Sequence, residues 1–325
     1  LDTVGGYTRP PQLLSRSLMT HQRANTALVE IREILKQGQK DLAAAYLARP
    51  DHRAYLAGRS QLVDQVLERL WLHEQLPNGA ALIAVGGYGR NELYPHSDID
   101  VLIALESPAT PEQETVLARL VSQFWDIGLA VGHSVRTIDE CISAAESDVT
   151  VQTALSESRL ICGQQTLYQQ LQQAIDVCMD HGQFIAAKLA EQEERHQRHA
   201  FSAFSLEPNC KESPGGLRDL HSLNWIARAA GFGGHGDVWQ ALQQNELMQG
   251  DERVAVERAA GFLADVRISL HLLTGRAEDR LLFDVQGQIA QQFGFTDIAN
   301  RRASEQFMQR YYRIAKRVTQ INTLV

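Results

Sequence analysis

Two carboxylates stand one residue apart at the start of an apolar run, in residues 97–103, Ser-Asp-Ile-Asp-Val-Leu-Ile. Because side chains alternate along a β-strand, Asp98 and Asp100 would point to the same face, roughly 6–7 Å apart, and Ile99 into a core. Two such carboxylates repel each other and stay ionised together when a cation lies between them. Oxygen ligands of this kind suit Mg²⁺, which also takes substrate phosphates. The spacing therefore predicts a metal site at Asp98 and Asp100.

A glycine turn precedes these carboxylates in residues 86–90, Gly-Gly-Tyr-Gly-Arg, directly after the apolar run 81–85. Gly86 and Gly87 lack a Cβ, so the backbone can approach a ligand closely. Free N–H groups in such a turn, or at the start of a following helix, form a phosphate seat. Arg90 can add a bidentate phosphate contact. The turn and the carboxylate pair are each a weak signal, but together, between two predicted strands, they indicate a site for Mg²⁺ and triphosphate.

The combination of residues 86–90 with residues 97–103 resembles the signature of the DNA-polymerase-β-like nucleotidyltransferase superfamily. More closely, it is similar to the bifunctional PII uridylyltransferase/uridylyl-removing enzymes of bacterial nitrogen signalling. The resemblance implies that the aspartate pair holds catalytic Mg²⁺ and that the glycine turn and its neighbours bind the nucleotide. The nucleotide-binding candidates of this first motif are Gly86, Gly87, Arg90 and Ser97.

The third predicted strand, residues 129–137, departs from the pattern of this family. In the superfamily it supplies a third carboxylate, and the uridylyltransferases usually carry glutamate where Ala130 stands. Such a carboxylate helps to hold the ion that activates the attacking hydroxyl. Three interpretations stay open, of which we favour the first two: an engineered substitution, a naturally degenerate catalyst, or replacement by Asp126 or Asp139. Binding of triphosphate is expected under all three.

A second motif, residues 204–219, is a long loop rich in proline and glycine that leads into a helix. Structured loops of this length are usually functional. It resembles the Leu-Glu-Pro…Lys…Pro-Gly-Gly-Leu-Arg-Asp passage of the uridylyltransferase helical domain, which faces the nucleotide-binding cleft. The resemblance makes Lys211 and Arg218 candidates for phosphate or base contacts. The structural alternative is that Arg218 and Asp219 only cap and brace the helix.

Four other polar residues have two interpretations each. His133 is a core histidine, which we favour, or a residue of the cleft. Arg136 contacts phosphate or forms a surface ion pair. Arg276 and Arg280 reach the cleft in the first interpretation, and in the second Arg280 braces the acidic residues beside it.

The charged run of residues 193–199 favours a solvated helix face. His196 and His199 do not have the i, i+4 spacing of a zinc-binding helix. The four cysteines form no C-x-x-C pair and no zinc pattern, which favours reduced thiols. They are Cys141, Cys162, Cys178 and Cys210.

Length and charge limit the classes of function. A chain of 325 residues suggests two or three domain-sized units. The net charge of −8 argues against bulk affinity for nucleic acid. No secretory signal and no apolar run of membrane-spanning length is present in the sequence, so we expect a cytoplasmic protein with no membrane partner.

Apolar spacing predicts helices over residues 13–76, with Ser60 as a candidate N-cap of the second segment. Strands are predicted at residues 81–85, from the aspartate pair onward, and at residues 129–137. An amphipathic helix at residues 112–126 separates the second strand from the third. After Thr137 the chain is predicted to be helical with short breaks.

Pattern and resemblance together predict an α+β fold. Its centre is a polymerase-β-like nucleotidyltransferase domain with a mixed sheet, flanked by N-terminal helices and a C-terminal all-helical domain. The predicted bounds are 1–59 for the N-terminal tail and helices, 60–148 for the nucleotidyltransferase domain and 149–325 for a helical substrate- and nucleotide-binding domain.

The resemblance covers roughly residues 13–325 and implies the transferase part of the family only. The implied reaction is Mg²⁺-dependent transfer of UMP from UTP to a tyrosine of the PII signalling protein. One rival is an adenylyltransferase or another protein nucleotidyltransferase of the same superfamily. A second rival, favoured by Ala130, is a catalytically silent nucleotide-binding protein. Asn91, where the family commonly has glycine, raises a question about the geometry of the turn.

Overall fold

The computed structural model describes residues 11–74, 76, 78–199, 206–234 and 236–322. The first ten residues of the predicted N-terminal tail therefore lie outside the described part. The strands are β1 (Ala80–Ala84), β2 (Ile99–Leu105), β3 (Val131–Thr137) and β4 (Arg159–Gly163). The helices up to the end of β4 are α1 (Pro11–Ala48), α2 (His52–Glu74), α3 (Gly86–Gly89), α4 (Pro111–Asp126), α5 (Ile138–Ser147) and α6 (Val149–Ser156). The later helices are α7 (Gln165–Cys178), α8 (His181–Arg198), α9 (Leu217–Ala229), α10 (Val238–Gln244), α11 (Gly250–Thr274), α12 (Phe283–Gln292) and α13 (Ala303–Asn322).

The four strands form one mixed sheet in the order β3-β2-β1-β4. Strand β1 is antiparallel to both β2 and β4, whereas β2 and β3 run parallel. All five residues of β1 are buried, as are all residues of β2 except Asp100. Apolar runs of this kind suit strands that are covered on both faces. The predicted α+β class and its mixed sheet are confirmed.

Side-chain alternation sends the two faces of the sheet into separate cores. Leu82 and Ile103 pack with α2 and α4 on one face. Ile83 and Leu102 pack with α5 and α7 on the other. Asp100 has the parity of Leu102, so the aspartate pair stands at the end of this second face. The sheet is thus the middle of three layers.

Strand β4 corrects the prediction that the chain is helical after Thr137. Its residues Arg159–Gly163 pair with β1 at the edge of the sheet, with a register shift between Leu82 and Ile83. The strand is five residues long and its side chains are mostly half-buried, so no strong alternation marks it in the sequence. Pairing with β1 stabilises it, and such tertiary context overrides local propensity. The sheet therefore extends beyond residue 148.

The prediction of Ser60 as a helix N-cap is wrong. Ser60 lies buried in the interior of α2, where its hydroxyl donates to the carbonyl oxygen of Leu56 at 3.0 Å. The helix begins eight residues earlier, after Pro50, because Asp51 accepts a hydrogen bond from the backbone N–H of Ala54 at 3.0 Å. A serine within a helix can donate back to the preceding turn, so its presence alone does not mark a start.

The helices that follow the sheet form a core of their own around α11. Phe262 of α11 contacts Phe293 and Phe307, with ring centroids 5.4 and 6.0 Å away. The N-terminal helices join this core, because the Tyr46 hydroxyl donates to the Asp265 carboxylate at 3.0 Å. Helices therefore flank the sheet at both ends of the chain, as predicted. None of the described helices is long and apolar enough to cross a membrane.

Gly89 lies where the backbone of α3 approaches the backbone at Glu157 closely, and Gly287 lies in open space and serves as its control. A Cβ on Gly89 would lie 1.9 Å from the carbonyl oxygen of Glu157, so Gly89→Ala forces backbone apart and should cost about 1–3 kcal/mol or more of unfolding free energy. A Cβ on Gly287, inside α12, would meet nothing within 4 Å, so Gly287→Ala should stabilise by up to about 1 kcal/mol. Urea denaturation measures both. Equal effects of the two substitutions would contradict this packing.

Candidate active site

A cleft of about 420 Å³ lies where the ends of β1 and β2 face the helical half of the chain. Its walls come from the α3 turn, the start of β2, α6, α8, α9 and the loop before α9. The structure brings every predicted site residue to this one cleft. They are Gly86, Gly87, Arg90, Ser97, Asp98, Asp100, Lys211 and Arg218.

The aspartate pair projects into the cleft in the predicted manner. Ile99 is buried in the core, and Asp98 and Asp100 on either side of it are exposed. The backbone N–H of Val85 donates to the Asp100 carbonyl at 3.1 Å, which places the end of β1 beside the pair. Although Asp100 is exposed, partial desolvation within the cleft and the nearby charge of Asp98 raise its pKa, and Lys211 opposes the shift. Two carboxylates that repel each other in this way favour a cation between them.

The third strand contributes no acidic residue to the pair. Gly132 lies directly opposite Asp100 in β3, and a Cβ there would lie 2.5 Å from Asp100 Oδ1. Ala130 lies two residues earlier and accepts the N–H of Ile99 at 2.9 Å through its carbonyl. Asp126 and Asp139 do not line the cleft, so the structure does not support replacement of the missing carboxylate by either.

The donor set fits a Mg²⁺ ion that shares its coordination with a substrate. No cluster of three or more His, Cys, Asp or Glu side chains that could hold a metal occurs among the described residues. An all-protein cage is therefore absent from that part of the chain. Mg²⁺ commonly binds through one or two carboxylates together with waters and substrate phosphates, and Asp98 and Asp100 meet that requirement.

The glycine turn forms the short helix α3 between β1 and the loop that leads to the aspartates. Gly86 has φ 58°, in the left-handed region that glycine adopts freely. Asn91 also has a positive φ, 61°. Asparagine is one of the few other residues that tolerate this conformation, so Asn91 is compatible with the geometry of the turn.

Arg90 is not free to contact a phosphate. It lies at the centre of a partly buried network of ion pairs. Its guanidinium lies 3.0 Å from Glu92 Oε2 and also pairs with Glu157. Glu92 further contacts His221 Nε2 at 3.1 Å, and the Trp225 indole N–H donates to Glu157. The network joins the glycine turn to the end of α6 and to α9.

Burial and neighbouring charges both shift the pKa values of the groups in this network. Burial alone would raise the pKa of Glu92, but Arg90 and His221 lower it well below its ordinary value. Burial and the charge of Arg90 lower the pKa of His221 to about 4, so this histidine is neutral at pH 7. Burial raises the pKa of Glu157 despite its contact with Arg90.

Lys211 is placed by a loop with a dense set of hydrogen bonds; residues 204 and 205 of the predicted loop lie outside the described part. Asn209 Oδ1 accepts the backbone N–H groups of Lys211 and Glu212 at 2.9 and 2.8 Å. The N–H of Arg218 donates to the Lys211 carbonyl at 2.8 Å, which ties the loop to the start of α9. Burial and the charges of Arg267 and Arg218 lower the pKa of Lys211.

Arg218 and Asp219 are neighbours with different roles in the fold. Arg218 lines the cleft, with its guanidinium carbon 5.5 Å from the Trp225 ring centroid and its Nη2 3.4 Å from Glu212. Asp219 is a buried brace, since it pairs with Arg195 and accepts from the Gly215 N–H at 2.7 Å. The interpretation that these residues only cap and brace the helix is therefore correct for Asp219, whereas Arg218 faces the cleft.

The prediction of a solvated face for residues 193–199 is wrong at Arg195, which is only 5% exposed. Its partner Asp219 also contacts His196 Nε2 at 2.8 Å. A charged run indicates solvent exposure unless a distant carboxylate neutralises it, and sequence spacing does not reveal a partner about twenty residues away.

Sequence reasoning missed several cations of the helical wall. Lys188 of α8 is 2% exposed, and its Nζ lies 2.7 Å from Glu191 and 4.8 Å from the Trp225 ring centroid. Arg267 of α11 lies 2.7 Å from Asp279. Each is a single basic residue within an apolar helical pattern. A basic residue within an apolar pattern can indicate a buried charge, but the pattern does not indicate which cleft the side chain lines.

Four residues with open interpretations lie outside the cleft lining. His133 is exposed on the edge strand β3, so the favoured interpretation as a core histidine is wrong. Arg136 lies on the same strand. Arg276 and Arg280 are 64% and 58% exposed and do not reach the cleft; both pair with Glu278, so the ion pair of Arg280 is with Glu278 rather than with Asp279 or Asp284.

Arg90 should contribute more to stability than an ordinary surface arginine. Arg90→Met leaves the partly buried Glu92 and Glu157 without their main cation, and we expect a loss of about 1–3 kcal/mol of unfolding free energy, between the values for exposed and fully buried pairs. The matched control is Arg198→Met, because the side chains of Arg198 and its partner Glu194 are 65% and 70% exposed. That change should cost less than about 1 kcal/mol. Urea denaturation measures both, and similar losses would contradict a structural role for Arg90.

Two family models match the chain. The model described as "Nucleotidyltransferase domain" matches residues 63–157, and the one described as "GlnD PII-uridylyltransferase" matches residues 183–325. The first range contains the glycine turn, the aspartate pair and strands β1 to β3. The sheet and its helices therefore form a nucleotidyltransferase domain.

Curated relatives specify the family. A protein of Aromatoleum aromaticum is 46% identical over 309 residues, which are 95% of this chain and 36% of the relative. Proteins of Chromobacterium violaceum and Bordetella parapertussis are 44% and 47% identical, each over 90% of this chain and 34% of the relative. All three are named bifunctional uridylyltransferase/uridylyl-removing enzyme. The resemblance to this family is confirmed over most of the chain, which spans about a third of the length of these relatives.

Proposed function

We propose that this chain is a Mg²⁺-dependent nucleotidyltransferase that transfers UMP from UTP to a tyrosine hydroxyl of a PII signalling protein. The observation that carries the proposal is the cleft in which Asp98 and Asp100 face Lys211 and Arg218 across the glycine turn. The choice of UTP and of a PII protein comes from the names of the matched family and relatives. Neither can be read from the side chains of the cleft.

Each wall of the cleft has a distinct role in this proposal. Asp98 and Asp100 hold Mg²⁺ against the phosphates, since the pair supplies two hard oxygen ligands. The first N–H groups of a helical turn lack carbonyl partners within the turn, so Gly86 and Gly87 offer donors to the triphosphate. Lys211 and Arg218 neutralise the phosphates from the helical wall. Ser97 lies beside the aspartates as a further donor.

The reaction follows from this placement. The tyrosine oxygen attacks the α-phosphorus, an O–P bond forms, the bond to the β-phosphate oxygen breaks, and pyrophosphate leaves with the electron pair. The phenolic proton passes to solvent or to a carboxylate. When bound, Mg²⁺ supplies charge neutralisation at the phosphates and helps to activate the attacking oxygen. Ala130 has no side-chain oxygen to offer beside the aspartate pair, so we expect the chain to bind the nucleotide and to transfer UMP slowly.

The aspartate pair is tested by nucleotide binding. We expect UTP to bind in a Mg²⁺-dependent manner, and Asp98→Asn together with Asp100→Asn to raise the Kd for UTP and Mg²⁺ by at least about tenfold. Removal of Mg²⁺ with a chelator should have the same effect on the unmodified chain. Isothermal titration calorimetry measures the Kd.

The control for this test is Asp126→Asn, because Asp126 does not line the cleft. It should leave the Kd for UTP within about twofold of that of the unmodified chain. If the double variant keeps unchanged Mg²⁺-dependent binding, the proposed metal role of the pair is wrong.

Transfer itself is tested with a PII protein, Mg²⁺ and UTP, with a mass increase of one UMP as the readout. Ala130→Glu supplies a carboxylate directly before β3, so we expect it to modify PII at least about tenfold faster than the unmodified chain. If ATP supports modification and UTP does not, the chain is an adenylyltransferase. If UTP binds to both forms and neither adds UMP, the chain is a silent nucleotide-binding protein, which the exposed Ala130 also favours.

A further inference from the structure

A second cavity, of about 1140 Å³, lies in the helical half of the chain, away from the cleft. It is bordered by the end of α1, the start of α2, α11, the end of α12 and α13. Among the described residues, none lines both this cavity and the cleft. The cavity is therefore a separate place on the molecule, and the proposed function makes no use of it.

The floor of this cavity is apolar and partly in contact with solvent. Phe262 of α11 lines it, together with the half-buried side chains of Phe293 and Ile314. Leu47, at the end of α1, lines the same cavity and is 55% exposed. Ligand sites are typically concave and mostly apolar, with a small number of polar groups that fix the ligand. The floor has the composition of such a site.

Five lysine and arginine side chains line the cavity, and none of them forms an ion pair with another of the described residues. They are Arg258, Arg310, Arg313, Lys316 and Arg317. Two carboxylates also line it, but Glu257 pairs with Arg253 at 2.6 Å, and Asp265 accepts the Tyr46 hydroxyl at 3.0 Å. The net charge of the whole chain is −8, so this surplus of positive charge is local. The walls therefore offer positive charge that the surrounding residues do not neutralise.

The spacing along α13 places three of these cations on one side of the helix. Arg310, Arg313 and Arg317 are separated by three and four residues, the spacing of neighbours on a helix face. Compensation of the helix dipole does not account for them all, because Arg310 and Arg313 lie more than two turns before the end of α13 at Asn322. The guanidinium carbon of Arg310 lies 5.0 Å from the Phe262 ring centroid. The positive charge thus adjoins the apolar floor.

We propose that this cavity binds a small organic anion, in which an apolar body carries a phosphate, sulfonate or carboxylate group. The apolar body packs against Leu47, Phe293 and Ile314, and the anionic group pairs with Arg313 and Arg317. Guanidinium groups suit this role because their fork of N–H donors matches the oxygens of such anions. The inference does not depend on nucleotidyl transfer, since the cavity and the cleft have no described lining residue in common.

The first test uses 8-anilinonaphthalene-1-sulfonate, an aromatic anion that reports accessible apolar surface by fluorescence. Titration should show saturable binding to one site per chain. Arg313→Gln together with Arg317→Gln should raise the Kd at least about tenfold and leave the midpoint of thermal unfolding unchanged, because neither side chain has an ion pair to lose. The matched control is Arg301→Gln with Arg302→Gln, an equal charge change at exposed residues that do not line the cavity. It should leave the Kd within about twofold.

A neutral probe separates the charge of the arginines from their shape. N-phenyl-1-naphthylamine has the same aromatic body without the sulfonate. The double variant at Arg313 and Arg317 should bind it within about twofold of the unmodified chain. An equal loss of affinity for both probes would mean that the arginines only shape the cavity, and the anion site would be wrong.

The apolar side of the cavity is tested with two exposed side chains of α1. Leu47→Glu places a carboxylate in the cavity and should weaken the binding of both probes at least about tenfold. Val29→Glu is the control, because Val29 is 52% exposed on the same helix and does not line the cavity. If the sulfonate probe shows no saturable binding, or binds the Leu47 and arginine variants as well as the unmodified chain, the proposal is overturned.

Displacement of the sulfonate probe identifies the source of the anion. ATP represents a nucleotide and octyl phosphate a lipid-like phosphate, and displacement by either one assigns the site to that source. Failure of both to displace the probe at about 1 mM contradicts the proposal. The Kd for UTP and Mg²⁺ should be unchanged in the double variant at Arg313 and Arg317. A loss of UTP binding there would mean that the cavity is not a separate site, whereas a chain that binds the probe but not UTP would fail only the proposed function.

Discussion

The contact between Arg90 and its two carboxylates, Glu92 and Glu157, is the interaction on which the rest of the site depends. It fixes the loop after the glycine turn against the end of α6, and through His221 and Trp225 it reaches α9 of the helical half. Buried ionic groups tolerate little displacement, because a carboxylate left without its cation is costly. The network thus connects the sheet side of the cleft with its helical side.

Charge is distributed unevenly between those walls. The sheet side offers the two free carboxylates of Asp98 and Asp100, whereas the helical side offers Lys211, Arg218 and the deeper Arg267. A metal ion at the first wall would neutralise its carboxylates, and phosphates at the second wall would neutralise its cations. Most arginines near the cleft already have a carboxylate partner, which keeps them in place but limits what they give to a ligand.

Sequence reasoning succeeded where a short pattern corresponds to a local backbone requirement. The alternation around Ile99 correctly placed the two aspartates on one face, and Gly86 lies in the left-handed conformation that glycine favours. It failed where a partner distant in the chain decides the outcome. Strand β4 forms because β1 offers an edge, and Arg195 is buried because Asp219 meets it. Neither partner can be inferred from the spacing of neighbouring residues.

The sequence by itself determined the class of fold, the two faces of the central strands and eight of the residues that border the cleft. Those properties follow from periodicity, turn chemistry and motif, which are local. Only the tertiary structure decided which of the cations are already neutralised, and that Gly132 of β3 lies opposite Asp100. The physical reason is that electrostatic energy depends on distances between groups, and residues far apart in the chain acquire those distances only when the chain folds.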